Sequence, residues 1–166
     1  MIHRVVGSQN VSRMCIVCGV ENDAGLKAGF YTLENGDLAG VFQPKEEHQG
    51  YPGRLHGGMI SAMLDETIGR AVNIAEPDTW CVTVELNVKF RRPVPTDGDV
   101  KVVGRVTENL GRAFEGTGEI VLEDGTVAAE GRGRYVRMPI KDIAHAHFAE
   151  SEWMEDGRPL PAEIEI

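Results

Sequence analysis

Three charged residues, Asp65, Glu66 and Arg70, interrupt the most apolar part of the chain, residues 58–74. Glu66 and Arg70 stand four residues apart, so on a helix they lie on one side and can pair with each other. Asp65 has only the Ser61 hydroxyl within reach on the same helix. Because burying an unpaired carboxylate costs several kcal/mol, Asp65 is a candidate functional residue.

Two structural explanations for Asp65 stay open. Either this edge of the helix is exposed to solvent, or a sheet residue such as Asn87 or Arg91 pairs with the carboxylate. The start of the helix favours a functional role. Gly57 and Gly58 remove side chains where the first backbone N–H groups lack partners and carry the positive end of the helix dipole. Such N–H groups can stabilise an oxyanion, although two glycines also suit a tight turn.

One helix and one long antiparallel sheet would position these residues. Apolar side chains occupy most of the circumference of a helix over residues 58–74, which predicts that it is buried. Alternation of apolar and polar residues predicts a strand over residues 82–90, whose buried face carries Val82, Val84, Leu86, Val88 and Phe90. Further strands are predicted over residues 25–33, 38–42, 99–106, 113–122 and 126–137.

The last predicted strand has one nearly bare face, since Ala129, Gly131 and Gly133 alternate with larger polar residues. Such a face allows close approach of another element. These features favour an α+β fold in which a curved antiparallel sheet wraps around one long central helix. We assign residues 1–137 to this domain and residues 138–166 to an acidic C-terminal extension of it, which forms either a short amphipathic helix or a solvated tail.

The net charge of −9 is unevenly spread, because six carboxylates and one arginine place −5 in the last 17 residues and leave −4 elsewhere. This excess of carboxylates argues against nucleic acid as a partner. No apolar run approaches the roughly 20 residues that span a bilayer, and the N-terminus lacks a signal-peptide pattern. We therefore expect a cytoplasmic protein without a membrane partner.

Cys15, Cys18 and Cys81 are too few and odd in number for a disulfide framework, so we expect reduced thiols. Cys15 and Cys18 have the spacing of half a zinc site. A second Cys/His pair at suitable spacing is missing from the sequence, so a plain N-terminal turn is expected and no metal site is predicted. Thioredoxin-like redox chemistry is also disfavoured, because no βαβ pattern surrounds the two cysteines.

The helix motif resembles that of a known family. His56-Gly-Gly, followed after six residues by Asp65-Glu66, is similar to the helix motif of hotdog-fold acyl-CoA thioesterases of the phenylacetate-pathway and 4-hydroxybenzoyl-CoA type. Residues 83–95 resemble the strand that follows this helix, and Cys15-x2-Cys-Gly-x2-Asn22 resembles the N-terminal segment of many members. The resemblance covers roughly residues 14–137 and implies a hotdog fold.

The resemblance also implies roles for individual residues. Asp65 matches the catalytic carboxylate, acting as general base or nucleophile, and Gly57 matches the backbone N–H that polarises the thioester carbonyl. Thr83 matches a position that helps to orient the attacking water, and His56 matches a histidine that is usually structural. Related enzymes often carry Asn or Gln six residues before this histidine; Gly50 stands there, and the adjacent Gln49 is the substitute candidate.

Coenzyme A is part of the implied substrate, so no separate cofactor is predicted. Its phosphates need cationic donors, for which Arg91 and Arg92 are the first candidates, although exposed arginines are common on sheets. The remaining candidate substrate-binding residues are Gly58, Met59 and Asn87.

The helix itself predicts an oligomer. Asp65 lies eight residues after Gly57, which is about 12 Å along a helix axis. A base and an oxyanion donor must both lie about 3 Å from the reacting atoms. The two groups should therefore come from two chains, which predicts a homo-oligomer, a dimer or a tetramer, with equivalent sites at a two-fold interface.

We therefore predict a thioesterase that hydrolyses an acyl-CoA, or a related acyl thioester, to the free acid and coenzyme A. A non-catalytic acyl-CoA binding or sensing protein on the same fold is the alternative. Hydration or dehydration on this scaffold is a third possibility, disfavoured by the helix motif.

Overall fold

The computed structural model describes residues 1–145 and 147–166, and it combines one main helix with a long antiparallel sheet. This confirms the predicted α+β architecture. The helices are α1 (Gly57–Arg70), α2 (Ile140–Ile143) and α3 (Phe148–Ser151). The strands are β1 (Ile2–Ser8), β2 (Val11–Ser12), β3 (Gly29–Leu33), β4 (Leu38–Phe42), β5 (Gln49–Tyr51), β6 (Arg54–Leu55), β7 (Cys81–Phe90), β8 (Val100–Leu110), β9 (Ala113–Val121), β10 (Val127–Arg137), β11 (Trp153–Met154) and β12 (Glu163–Glu165).

Eight strands form the main sheet in the order β12-β1-β3-β4-β8-β9-β10-β7, all in antiparallel pairs. The helix α1 packs across β4, β7, β8, β9 and β10. Of its 14 residues only Gly58 is exposed, which confirms the predicted burial. Among the residues that the structure describes, no helix has the length and apolar character needed to cross a membrane.

Glycines on the inner face of the sheet allow α1 to pack close to the strands. A Cβ atom added to Gly131 would lie 3.0 Å from Ile68 Cδ1, and one added to Gly104 would lie 2.8 Å from the Thr67 carbonyl oxygen. The glycine-lined face predicted for β10 is thus confirmed, and it faces the helix. Larger side chains here would push α1 away from the strands that carry the site.

The strand β7 departs from the predicted strict alternation. Arg134 pairs with Glu85 and Tyr135 pairs with Thr83, so Val84 is an extra residue, a β-bulge. Before the bulge Thr83 faces the helix, whereas after it Leu86 and Val88 do. The prediction that Val82 and Val84 share the buried face is wrong, because the bulge reverses which residues point inward; Val84 is 56% exposed. Phe90, at the end of the strand, was also predicted to be buried and is likewise 56% exposed.

The C-terminal extension is packed against the domain, so the solvated-tail alternative is wrong. Its strand β12 pairs with β1, and β11 pairs with β2. Glu152 forms an ion pair of 2.9 Å with Arg13, and Arg158 donates to the carbonyl oxygens of Lys27 and Ala28 at 2.7 Å. The predicted amphipathic helix is replaced by α2 and α3, of four residues each.

Candidate active site

The Asp65 carboxylate has two hydroxyl partners on the sheet. Thr83 Oγ1 donates to Asp65 at 2.9 Å from Oδ1 and 3.1 Å from Oδ2. Tyr135 lies on β10 and donates its phenolic hydroxyl to Oδ1 at 3.2 Å and to the Asp65 backbone oxygen at 3.1 Å. The structure thus supplies the partners that the helix alone lacked.

The other partners considered for Asp65 lie elsewhere. Ser61 donates to the carbonyl oxygen of Gly57 at 2.9 Å. Asn87 lines a groove on the face of the sheet away from the helix, and Arg91 pairs with Glu130 at 2.9 Å. The suggestion that Asn87 or Arg91 pairs with Asp65 is therefore wrong.

Burial and the two hydroxyls act on Asp65 in opposite directions. Burial raises the pKa of the carboxyl above its ordinary value, whereas the hydrogen bonds from Thr83 and Tyr135 stabilise the charged form and lower it. Burial also raises the pKa of Tyr135, so this phenol keeps its proton and remains a donor. The net result is a half-buried acid whose pKa is raised, in a defined hydrogen-bonding geometry.

Asp65 opens onto a cleft of about 570 Å³, which we call the Asp65 cleft. Its polar wall includes Asp65, Thr83 and Tyr135, and its apolar wall includes the rings of Trp80, Phe148 and Trp153. Trp80 and Trp153 meet edge to face with ring centroids 5.0 Å apart. The C-terminal extension therefore supplies part of the wall of this cleft, through Phe148 and Trp153.

The other half of the predicted site lies at the start of α1. His56 is the N-cap, and its Nδ1 accepts the Gly58 N–H at 2.9 Å. Among the described residues the Gly57 N–H has no acceptor. Gly57, rather than Gly58, thus offers the free donor, and His56 acts structurally on the helix end.

Gly57 and Asp65 do not meet within one chain. The helix begins at Gly57, so Asp65 lies about 12 Å further along its axis. Gly57 does not line the Asp65 cleft. Gln49 and Met59 do not line it either: Gln49 pairs with Leu55 in the hairpin before the helix, and Met59 packs against the core.

The comparisons with known proteins bear on this arrangement. Residues 52–129 match the thioesterase superfamily. This confirms the resemblance stated above. A solved structure of a thioesterase superfamily protein shares 28% identity and superposes with a TM-score of 0.68, covering 76% of this chain and 61% of that one. The E. coli PaaI protein from the phenylacetic acid degradation operon has the same fold, with 18% identity, a TM-score of 0.61 and coverages of 69% and 81%.

Curated relatives are similar over parts of the chain. An uncharacterized Schizosaccharomyces pombe protein is 28% identical over 122 residues, 70% of each chain. The acyl-coenzyme A thioesterase THEM4 of Bos taurus is 29% identical over 59% of this chain, and THEM5 of Homo sapiens is 37% identical over 34%. The matched parts span 40% and 22% of those two mammalian enzymes.

The superfamily segment, residues 52–129, includes Gly57, Asp65 and Thr83 but not Tyr135. Sequence reasoning missed Tyr135 as a partner of the carboxylate. A signal was available, because Tyr135 continues the glycine-lined face of β10 that meets the helix. A polar aromatic side chain on that face needs a hydrogen-bond acceptor on the helix.

The predicted pair of Glu66 and Arg70 is present beside Asp65. Arg70 Nε lies 2.7 Å from Glu66 Oε1, and Nη1 donates to the Asn10 carbonyl oxygen at 2.7 Å. The guanidinium also lies 4.2 Å from the ring centroid of Phe30 and 4.8 Å from that of Trp153. Arg70 therefore joins the helix, the sheet and the C-terminal extension.

We expect Arg70→Met to lower the free energy of unfolding by about 3 kcal/mol, because it leaves Glu66 and the Asn10 carbonyl without their partner. Chemical denaturation measures the change. Arg4→Met is the matched control, since the Arg4–Glu34 pair is 69% and 43% exposed, and it should lose less than about 1 kcal/mol. Equal losses in the two variants would contradict a structural role for Arg70.

The predicted phosphate-binding arginines are both exposed. Arg91 already pairs with Glu130, whereas the described residues offer the Arg92 guanidinium no direct hydrogen-bond partner. Arg132 and Arg134 share one partner, the buried Glu115, so both guanidinium groups are already held by an ion pair. Of the two predicted phosphate ligands, Arg92 is therefore the one whose side chain is not already engaged in an ion pair.

Proposed function

We propose that the protein hydrolyses acyl-CoA thioesters on a hotdog scaffold. The observation that carries the proposal is the half-buried Asp65 carboxylate, held by Thr83 and Tyr135 at the wall of a cleft. The named activity of the mammalian relatives and the superfamily match support the same reaction class.

In the proposed reaction Asp65 acts as a general base on water. Thr83 gives its only hydroxyl hydrogen to Asp65, so its oxygen lone pairs are free to accept a hydrogen bond from that water. The two oxygens of Asp65 share the Thr83 hydrogen, and Oδ1 also accepts from Tyr135, which leaves Oδ2 as the better proton acceptor. The water oxygen attacks the thioester carbon, and the tetrahedral intermediate expels the coenzyme A thiolate.

The carbonyl oxygen of the substrate accepts the free Gly57 N–H of a second protomer. The strand β7 ends the sheet, and its exposed Phe90 and Val84, each 56% exposed, favour pairing with another copy. A Cβ atom on Gly57 would lie 3.5 Å from the Phe90 ring, so Gly57 sits at one end of β7, while Thr83 and Asp65 sit at the other. Antiparallel pairing of two β7 strands would bring Gly57 of one protomer toward Asp65 of its partner.

The direct test is thiol release from coenzyme A esters with short, long and aromatic acyl groups. We expect turnover of at least one ester, with the free acid identified by mass spectrometry. Tight binding across this panel without any thiol release would overturn the proposal and favour the alternative, an acyl-CoA binding protein.

The pH profile should report the environment of Asp65. Asp65 acts as a base only when its carboxyl is deprotonated, and burial raises the pKa of this carboxyl. On acidification, activity should therefore begin to fall at a pH higher than the pKa of an ordinary aspartate. Thr83→Val and Tyr135→Phe each remove a hydrogen bond that stabilises the carboxylate, so each should raise the pKa further. The acid limb of kcat/KM against pH should then move to higher pH.

Ser61→Ala is the control for this profile, because the Ser61 hydroxyl binds the Gly57 carbonyl oxygen and not Asp65. Its acid limb should coincide with that of the wild type. An acid limb that stays in place in both Thr83→Val and Tyr135→Phe would exclude Asp65 as the titrating base.

A further inference from the structure

Two cysteines outside the proposed reaction lie together at the wall of the Asp65 cleft. Cys15 and Cys18 occupy one turn, in which the Gly19 N–H donates to the Cys15 carbonyl oxygen at 2.7 Å. Their sulfur atoms and a Glu66 carboxylate oxygen all lie within 4.8 Å of one another. Cys15 is half-buried and lines the cleft, whereas Cys18 is 1% exposed.

The sulfur atoms accept hydrogen bonds that stabilise negative charge. The Val17 N–H donates to Cys15 Sγ at 3.3 Å, and the Ser12 N–H donates to Cys18 Sγ at 3.3 Å. Arg70 Nη2 lies 3.2 Å from Cys18 Sγ. The adjacent Cys18 side chain lowers the pKa of Cys15 to about 6, whereas the proximity of Cys15 and burial raise the pKa of Cys18.

The positive charge of Arg70 beside Cys18 and Glu66 argues for a dithiol rather than a metal centre. The buried Arg70 guanidinium contacts Cys18 at 3.2 Å and Glu66 at 2.7 Å, so a cation bound there would lie against an existing positive charge. An accessible cysteine with a stabilised thiolate beside a buried protonated cysteine is instead the arrangement of an attacking and a resolving thiol.

We propose that Cys15 and Cys18 form a redox-active dithiol, which low-molecular-weight disulfides oxidise to an intramolecular disulfide at the wall of the Asp65 cleft. The separation suits the bond. Residues three apart in one helical turn have Cα atoms about 5 Å apart, within the range of about 4.4–6.8 Å found for disulfides. The inference stands apart from the proposed thioesterase activity.

The reaction balances with glutathione disulfide as the oxidant. The Cys15 thiolate attacks one sulfur of the oxidant, a bond forms between Cys15 and glutathione, and one glutathione thiolate leaves. The Cys18 thiol then loses its proton to water and attacks the Cys15 sulfur, which expels the second glutathione thiolate. The two protein thiols lose two electrons in total, and the oxidant is reduced to two glutathione molecules.

Mass spectrometry of the folded protein after incubation with glutathione disulfide tests this. The wild type should lose two hydrogen atoms and retain no glutathione, with the new bond mapped to Cys15 and Cys18. Cys18→Ser should instead keep one glutathione on Cys15, because the resolving thiol is gone. Cys81→Ala should behave as the wild type, since Cys81 takes no part.

Alkylation of the wild type provides a measurement that needs no variant. Cys81 is also half-buried in the cleft, but burial raises its pKa to about 11, so it is an internal control. At pH 7 Cys15 should react with iodoacetamide roughly fifty-fold faster than Cys81, after allowing for the lower nucleophilicity of the more acidic thiol.

Three results would overturn the inference. The first is a wild-type protein that retains glutathione on Cys15 without closing the disulfide. The second is alkylation of Cys81 at a rate equal to that of Cys15. The third is a protein that holds one equivalent of zinc and whose Cys15 and Cys18 become reactive only after chelation.

Discussion

Replacing Asp65 by asparagine should lower kcat for the best acyl-CoA ester by about a thousandfold, the range expected when a general base is removed. The change is nearly isosteric, and the asparagine oxygen can still accept the hydrogen bonds of Thr83 and Tyr135. KM should change little, because the amide fills the same place in the cleft. Steady-state thiol release, with circular dichroism to confirm folding, measures the effect.

Glu66→Gln is the matched control for this variant, because it removes the neighbouring carboxylate of the same helix. Glu66 pairs with Arg70, and the glutamine oxygen can still accept from that guanidinium. We expect kcat within a few-fold of the wild type and a lower free energy of unfolding. Turnover by a folded Asp65→Asn variant equal to that of Glu66→Gln would refute the role of Asp65.

Gly57→Pro should lower kcat by roughly a hundredfold to a thousandfold, because proline has no N–H to bind the oxyanion. The helix should tolerate the change, since proline is favoured at the first helical position and His56 already has the extended backbone that precedes proline, with φ −65° and ψ 140°. Gly57→Ala keeps the N–H, and its Cβ would lie in ordinary contact with Phe90 at 3.5 Å. It should therefore lose far less activity than the proline variant.

Mixing the two inactive proteins tests whether the site spans two chains. A dimer of one Asp65→Asn chain and one Gly57→Pro chain contains one site with both defects and one with neither. Random exchange of subunits should therefore restore about a quarter of the wild-type activity. If mixed dimers form and no activity returns, Asp65 and Gly57 do not act together across an interface.

Local patterns were enough to predict much of the architecture. The buried helix, its pair of Glu66 and Arg70, and the glycine-lined face of β10 depend on residues close together in sequence, and all three are present. The helix predicted over residues 58–74 runs from Gly57 to Arg70, and residues 71–74 form a 3-10 turn instead. Periodicity and spacing describe such neighbours directly. The unpartnered Asp65 could be recognised for the same reason, since its helical neighbours are visible in the sequence.

The surroundings of Asp65 were decided by the tertiary structure. Tyr135 is 70 residues away from Asp65, and Thr83 faces the helix only because the bulge at Val84 shifts the register of β7. The alternation of apolar and polar residues does not show which face of the strand is buried. One extra residue in a bulge therefore turns every later side chain to the opposite face of the sheet, although the alternation itself looks the same in the sequence.

The sequence by itself thus determined which residues are candidates for chemistry, namely Asp65 and the Gly57 N–H, and that one helix cannot bring them together. The tertiary structure decided which side chains donate hydrogen bonds to Asp65 and which residues form the apolar wall of the Asp65 cleft. Trp153 reaches the cleft because β11 pairs with β2 and because its ring packs on Arg70, contacts between residues far apart in the chain. Such contacts arise from sheet pairing and burial across the whole domain, which local residue patterns do not encode.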